Sequence, residues 1–327
     1  MKTFDFHRAR DVDDALDLAA RTGATYYAGG TNLLDLMKLG VAAPTAVVDV
    51  SRLGLDQITA TDDGGIMIGS GVTNSAIANH DLVRTQYPVL SQAILSGATT
   101  QLRNMATAGG NLLQRTRCPY FMDAEFPACN KRRPGSGCGA LQGFNREHAL
   151  FGTSQSCVAV HPSDMAVALS MLDAVVHVRA TTGSRSISLS DFFRLPGDEP
   201  DRDNALLPGE LIVGIHLPPS EYARRSWYLK VRDRHSYAFA LVSVAVGLTL
   251  DDGIVTSAAI SLGGVAAKPW RVPAAESALI GNAPDDKAFR DAAEIALRDA
   301  AALGQNQFKI DLGKHSVLRA LHKASTR

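Results

Sequence analysis

The sequence predicts an α+β protein, in which two α/β units that lack the dinucleotide-fold pattern are followed by a C-terminal α+β domain. Three observations predict it. Near the amino terminus, short apolar strands alternate with glycine turns and helical stretches, the order of a β-α-β arrangement. Towards the carboxyl terminus, three valine-rich strands are followed by three helices, the order of a sheet covered by helices. Between these regions lies a proline- and glycine-rich stretch holding all four cysteines of the 327 residues. The expected division is 1–54, 55–219 with a loop inserted at 114–157, and 220–327.

The elements follow in order. Phe4 to Phe6 reads as a strand, and Val12 to Arg21 as a helix capped by Asp11. Thr25 to Asn32 is a strand running into a Gly-Gly turn, and Leu33 to Leu39 is the helix after it, ended by Gly40. Val47 to Val50 is the next strand. Ile66 to Gly71 reads as a strand, Thr73 to Asn79 and Pro88 to Ser96 as helices, and 101–105 as the lead into a second Ala-Gly-Gly turn at Ala108. Beyond the cysteines, Cys157 to Val160 is expected as a strand and Pro162 as the start of a helix striped with Met165, Leu169 and Leu172. Strands follow at Ala174 to Ala180, Ser186 to Leu189 and Leu211 to Leu217, with an acidic surface loop at Asp198 to Asn204. The last region reads as strands Ser226 to Val231, Phe239 to Leu250 and Ser257 to Gly264. Helices Pro273 to Ile280, Lys287 to Leu303 and Lys314 to Ser325 complete it.

Composition excludes several function classes. Hydrophobic residues are 46% and charged residues 20%, ordinary for a chain with packed cores. Lysine plus arginine and aspartate plus glutamate are 33 each, so net charge draws the chain to neither nucleic acid nor membrane. The longest apolar run, Tyr237 to Leu250, is broken by Ser243, Gly247 and Thr249 and is too short to cross a bilayer. The amino terminus shows neither a signal-peptide core nor a twin arginine. Nine histidines show no metal-ligand spacing.

Cys118, Cys129, Cys138 and Cys157 are spaced Cys-x10-Cys-x8-Cys-x18-Cys. Their clustering asks for one shared ligand. A structural zinc site normally uses short Cys-x2–4-Cys knuckles, and none is present. A [4Fe–4S] cube takes one sulfur from each of four directions, which a long loop can supply. Disulfides suit small domains without a core, but an even cysteine count leaves them open. Arg115, Arg117, Lys131, Arg132, Arg133 and Arg146 would partly balance the charge of a thiolate cluster.

Two turns carry Ala-Gly-Gly, at Ala28-Gly29-Gly30 and Ala108-Gly109-Gly110. Without a Cβ, their backbone amides can approach a phosphate. A single such turn is ordinary strand-to-helix geometry. Two would suit an elongated anion such as a pyrophosphate, held by amides from both sides. The pattern is not Gly-x-Gly-x-x-Gly.

Specific motifs carry a resemblance across essentially the whole chain. They are both glycine turns, Gln114-Arg115-Thr116-Arg117-Cys118, Cys129-Asn130-Lys131-Arg132, Pro134-Gly135-Ser136-Gly137-Cys138-Gly139, His161-Pro162-Ser163-Asp164-Met165 and Lys230-x-x-x-Arg234. The chain resembles the FAD-binding subunit of the xanthine dehydrogenase and aldehyde oxidoreductase family. It is most similar to the middle subunit, carrying FAD and an additional [4Fe–4S] cluster, of bacterial three-subunit molybdenum aldehyde oxidoreductases. The resemblance implies two α/β FAD-binding subdomains and a C-terminal α+β domain. Tyr26, Tyr27, Ala28, Gly29, Gly30, Thr31, Asn32 and Leu33 would hold the FAD pyrophosphate, with Thr107, Gly110 and Asn111 as a second wall. Asp164 would bond the flavin or its ribityl chain, Lys230 would lie by the isoalloxazine, and Cys118, Cys129, Cys138 and Cys157 would ligate the cluster.

The same resemblance implies that no catalytic residue for aldehyde oxidation resides in this chain. Electrons would come from [2Fe–2S] clusters of a small subunit, after oxidation at molybdenum in a large molybdopterin subunit, and leave for an external acceptor. It further implies a hetero-oligomer formed in the cytoplasm, with periplasmic residence by co-export with a signal-bearing partner or else a cytoplasmic complex. Flavin subunits of carbon monoxide dehydrogenase, xanthine dehydrogenase and hydroxybenzoyl-CoA reductase type are the nearest alternatives. A nucleotide-binding module with zinc or disulfides is the alternative from another class.

Overall fold

The computed structural model describes residues 1–327 and contains three sheets. Strands β1 (Asp5–Arg8), β2 (Thr25–Tyr27) and β3 (Ala46–Asp49) form a parallel sheet in the order β1-β3-β2. Helix Val12–Thr22 is the crossover from β1 to β2, which lie on either side of β3. Asp11 caps it by accepting from the Asp14 amide, and Ala15, Leu16 and Ala19 are buried along it. Helix Leu33–Lys38 makes the second crossover. Asn32, at the start of this helix, makes no side-chain cap: its Oδ1 accepts from the Arg115 amide at 3.1 Å.

The second sheet is antiparallel, from β4 (Ile58–Ala60), β5 (Ile66–Gly69), β6 (Val175–Ala180), β7 (Gly183–Ser188) and β8 (Leu211–Leu217), in the order β4-β5-β8-β6-β7. Helices Pro88–Ser96 and Asp164–Met171 cover it and share its core of 34 buried residues. Helix Asp164–Met171 is buried over Met165 to Met171, because the strands Val242–Asp251 and Ile254–Gly263 close its other side. It therefore carries no stripe. Ser163 caps it through the Ala166 amide, leaving Pro162 outside rather than at its start. Cys157 to Val160 is not a strand, since no partner strand lies beside it; the Val158 carbonyl accepts from the Ala149 amide alone.

The third sheet, β9 (Ser226–Val231), β10 (Val242–Asp251), β11 (Ile254–Gly263) and β12 (Trp270–Arg271), is antiparallel in the order β12-β11-β10-β9. The short strand β12 was not anticipated. Helices Pro273–Leu279, Asp286–Leu297 and Phe308–Ser325 pack on it around a core of 24 buried residues. The apolar run from Tyr237 divides at Val242: Tyr237, at φ +52°, and the residues up to Leu241 form the β9–β10 connection instead of strand. Helix Asp286–Leu297 ends before Leu303 because the Ala301 amide is taken by the Leu150 carbonyl. No helix is long and apolar enough to cross a membrane.

Candidate flavin cleft and cysteine loop

The chain from Tyr27 to Leu33 leaves β2 and enters helix Leu33–Lys38 through the first glycine turn. The amides of Gly29, Gly30, Thr31, Asn32 and Leu33 donate to no protein acceptor. Asn32 Nδ2 is buried and also lacks a partner. These five successive amides and the adjoining Asn32 Nδ2, six donor nitrogens in all, would be costly to leave dry, so the turn can receive a polar ligand. Gly29 faces the other loop: a Cβ there would collide with the Met105 carbonyl.

The second Ala-Gly-Gly segment is not a turn. It is the first stretch of helix Ala108–Leu112, capped by Thr107. Its amides are engaged: Ala108 with the Val72 carbonyl, Gly109 with Ser70, and Gly110 with Thr107 Oγ1. It offers no free amides to an anion. A Cβ on Gly110 would meet only Thr107 Oγ1 at 3.1 Å, so Gly110 instead keeps the wall low.

Two cavities meet at these segments. One, of about 560 Å³, is bordered by Tyr26, Tyr27, Ala28, Leu33 and Thr107. The other, of about 710 Å³, is bordered by Asn111, Asp164 and Lys230. Gly29, Gly30, Thr31, Asn32 and Gly110 border both. The structure thus brings every expected nucleotide-site residue to one elongated cleft with the free amides at its waist.

In the larger cavity Lys230 is not a free cation. Its Nζ donates to Asp164 Oδ2 at 2.8 Å and to the Ser96 carbonyl at 3.2 Å, and both charged side chains are nearly buried. Tyr228 donates its hydroxyl to Asp164 Oδ1 at 2.6 Å. Burial, reinforced by the Asp164 charge, pushes the Tyr228 phenol well above its ordinary range, so it remains a donor. Sequence reading missed Tyr228, although its place two residues before Lys230 on a strand puts both on one face. Asn111 Oδ1 accepts from Gln114 and from the Ser163 hydroxyl, tying the second wall to the Asp164 helix.

Cys118, Cys129, Cys138 and Cys157 line one small enclosed cavity, and all four thiols are free. Cys129 and Cys138 face each other across an antiparallel bridge, with Asn130 and Gly137 hydrogen-bonded beside them. No group of three or more His, Cys, Asp or Glu side chains stands close enough to hold a single metal ion. Neither the disulfide nor the zinc arrangement is present. Burial pushes the Cys118 thiol up to about 12 and pulls His148, whose Nε2 lies 3.1 Å from Cys118 Sγ, down to about 4. A third cavity, of about 50 Å³, is bordered both by Cys118 and His148 and by Asp164.

The basic residues of the loop mostly hold its backbone rather than facing the thiols. Arg132 donates to the carbonyls of Tyr120, Ala124 and Phe126, and Arg133 to that of Pro127. Arg146 pairs with Asp233, and Arg117 lies over the Phe239 ring. Only Lys131 borders the cysteine cavity. It and Arg115 pair with Asp203, so the loop Asp198 to Asn204, expected at the surface, is drawn inward at its end.

Residues 2–220 match the family described as the FAD binding domain in molybdopterin dehydrogenase. The chain belongs to this family. Residues 227–324 match the CO dehydrogenase flavoprotein C-terminal domain. The chain is 51% identical to the aldehyde oxidoreductase FAD-binding subunit PaoB of Escherichia coli (strain K12), over 99% of each chain. It is 26% identical to the carbon monoxide dehydrogenase medium chain of Afipia carboxidovorans, over 99% of this chain and 98% of that one. Its fold matches CO dehydrogenase from Oligotropha carboxidovorans with a TM-score of 0.78 at 24% identity, covering 100% of this chain and 99% of that one. The chain is an FAD-binding oxidoreductase subunit of the molybdenum hydroxylase family, with a mixed α/β flavin domain and a C-terminal domain.

Proposed function

We propose that this chain is the FAD- and [4Fe–4S]-binding electron-transfer subunit of a molybdenum-dependent aldehyde oxidoreductase. In this reading it takes electrons from [2Fe–2S] clusters of a small partner subunit and passes them to an external acceptor. The observation that carries it is the run of free amides, Gly29 to Leu33, at the waist of a two-chambered cleft. Tyr26 to Leu33 would hold the pyrophosphate, and Thr107, Gly110 and Asn111 would flank it. The chamber with Asp164 and Lys230 would take the isoalloxazine, and the other the adenosine. Bound there, FAD supplies the chemistry that accepts electron pairs and releases them. The protein's own part is to fix the ring with Asp164, itself held by Tyr228 and Lys230, and to shield it from water.

What supports a [4Fe–4S] cluster in this reading is the gathering of all four cysteines of the chain around one cavity. All four thiols are free; Cys129 and Cys157 are buried and Cys118 and Cys138 half-buried. Cys118, Cys129, Cys138 and Cys157 would be the ligands, and the closeness of PaoB supports an aldehyde as the class of substrate. Partners would be the small [2Fe–2S] subunit and a large molybdopterin subunit. Export with a signal-bearing small subunit would place the complex in the periplasm.

Purified chain tests the reading directly. One FAD and about four irons with four sulfides per chain are expected. Stoichiometric zinc, or flavin without iron, sinks the cluster assignment, and absence of flavin sinks the cleft. Fractionation of cells with and without the small subunit's leader tests location. A chain that stays cytoplasmic beside its partners rules out co-export.

A further inference from the structure

Two bridges join the cysteine loop to the cleft. The polar bridge starts at Asn32, in the waist, whose Oδ1 accepts from the Arg115 amide at 3.1 Å. Arg115 Nε donates to Asp203 Oδ2 at 2.6 Å, and its guanidinium lies 4.7 Å over the Phe121 ring. The other oxygen of Asp203 accepts from Lys131, which borders the cysteine cavity and also donates to the Pro200 carbonyl at 2.6 Å. The apolar bridge is a small core of Leu36, Phe121 and Cys129. Leu36 belongs to the helix that follows the glycine turn. Each bridge therefore begins beside the phosphate turn and ends at a cysteine or its neighbour.

From this geometry we propose that Asp203 is a positioning residue coupling the two cofactor sites, so that a filled cysteine loop holds Asn32 and its turn in the FAD-binding conformation. The inference rests on the functional reading above. A four-ligand cluster fixes Cys129 and, through Lys131, the position of the Asp203 carboxylate. That carboxylate orients Arg115, whose amide in turn orients Asn32. Without the cluster the loop gains freedom, and the turn must be ordered by FAD alone. Coupling of this kind is reciprocal: FAD must favour iron retention by the same factor that iron favours FAD.

The test uses the full chain. Cys129→Ser is expected to raise the FAD Kd about tenfold, within the usual range of site-to-site coupling. Asp203→Asn is expected to raise it similarly while keeping the wild-type ratio of iron to chain. The double variant should bind FAD no more weakly than Cys129→Ser alone, because both changes break one chain of contacts. Wild-type protein equilibrated with a chelator should retain more iron with FAD than without, a readout needing no variant. Unchanged FAD affinity in Asp203→Asn, strictly multiplicative effects in the double variant, or iron retention indifferent to FAD would each overturn the coupling. If wild-type chain carries FAD and iron but shows no coupling, this inference alone falls. If it carries only one of the two, the functional reading falls and takes the inference with it.

Discussion

A Cβ at Gly29 would run into the Met105 carbonyl, whereas one at Gly110 would meet nothing beyond Thr107 Oγ1. The two glycines look equivalent in sequence, yet one allows two backbones to approach and the other leaves room in the cleft. Gly29→Ala should therefore lower Tm and folded yield, since a backbone carbonyl cannot step aside cheaply. Gly110→Val should keep the fold, read by far-ultraviolet circular dichroism, and lose at least tenfold in FAD affinity. If Gly110→Val retains full flavin, the cleft wall is elsewhere.

At the same scale, the Lys230 charge is matched by Asp164. Removing one partner of a buried pair leaves an uncompensated charge, a change that costs about 3–5 kcal/mol in stability. Lys230→Met should shift the bound flavin's potential to more negative values, because the Asp164 carboxylate then opposes charge added on reduction. Adding Asp164→Asn should return it towards wild type. Redox titration of the three proteins decides; a potential unmoved in Lys230→Met would show that this pair does not face the ring.

At the scale of elements, the loop 114–157 has almost no regular structure and is held by side chains acting on carbonyls. Arg132 alone engages Tyr120, Ala124 and Phe126. Arg132→Met should leave the three sheets intact and make the segment around 120–139 the first site of limited proteolysis. Cleavage appearing first elsewhere would assign the bracing to other contacts. Helix Asp164–Met171 shows the opposite economy: wrapped by two sheets, it has no solvent face and sets Asp164 rigidly at its first position.

At the scale of the whole molecule, Lys309 joins regions far apart in sequence. Fully buried at the start of the last helix, it donates to the carbonyls of Glu147, His148 and Gly264, at 3.3, 2.8 and 2.6 Å. Burial pulls its pKa down to about 7. An unfolded lysine keeps its proton to about 10.4. Between those values the unfolded chain holds the extra proton, so stability should rise as pH climbs from about 7 towards 10. Urea midpoints at pH 7, 8 and 9 would show that slope, and Lys309→Met should lose it. The same variant should cost about 3 kcal/mol or more at pH 7, because three buried carbonyls lose their donor. A variant with the same slope would exclude Lys309 as its source.

Much of this protein was legible in its residues. Asp11 and Gly40 bounded their helices, alternating apolar runs marked most strands, and the four clustered cysteines marked one loop, because caps, periodicity and spacing are local properties. The motifs around Cys118 and Asp164 carried the family resemblance in the same way. What tertiary structure alone decided was which polar groups are spent and which are free. Nothing in the text Ala-Gly-Gly distinguishes a turn with unpaired amides from a helix start whose amides are bonded to Val72, Ser70 and Thr107. Nor does sequence show that Lys230 would meet Asp164 and Tyr228, that Asp203 would reach Arg115 and Lys131, or that Val158 would lack a strand beside it. Those outcomes depend on partners brought near by folding from tens of residues away, and hydrogen bonds and ion pairs are short-ranged enough that only the assembled chain selects them.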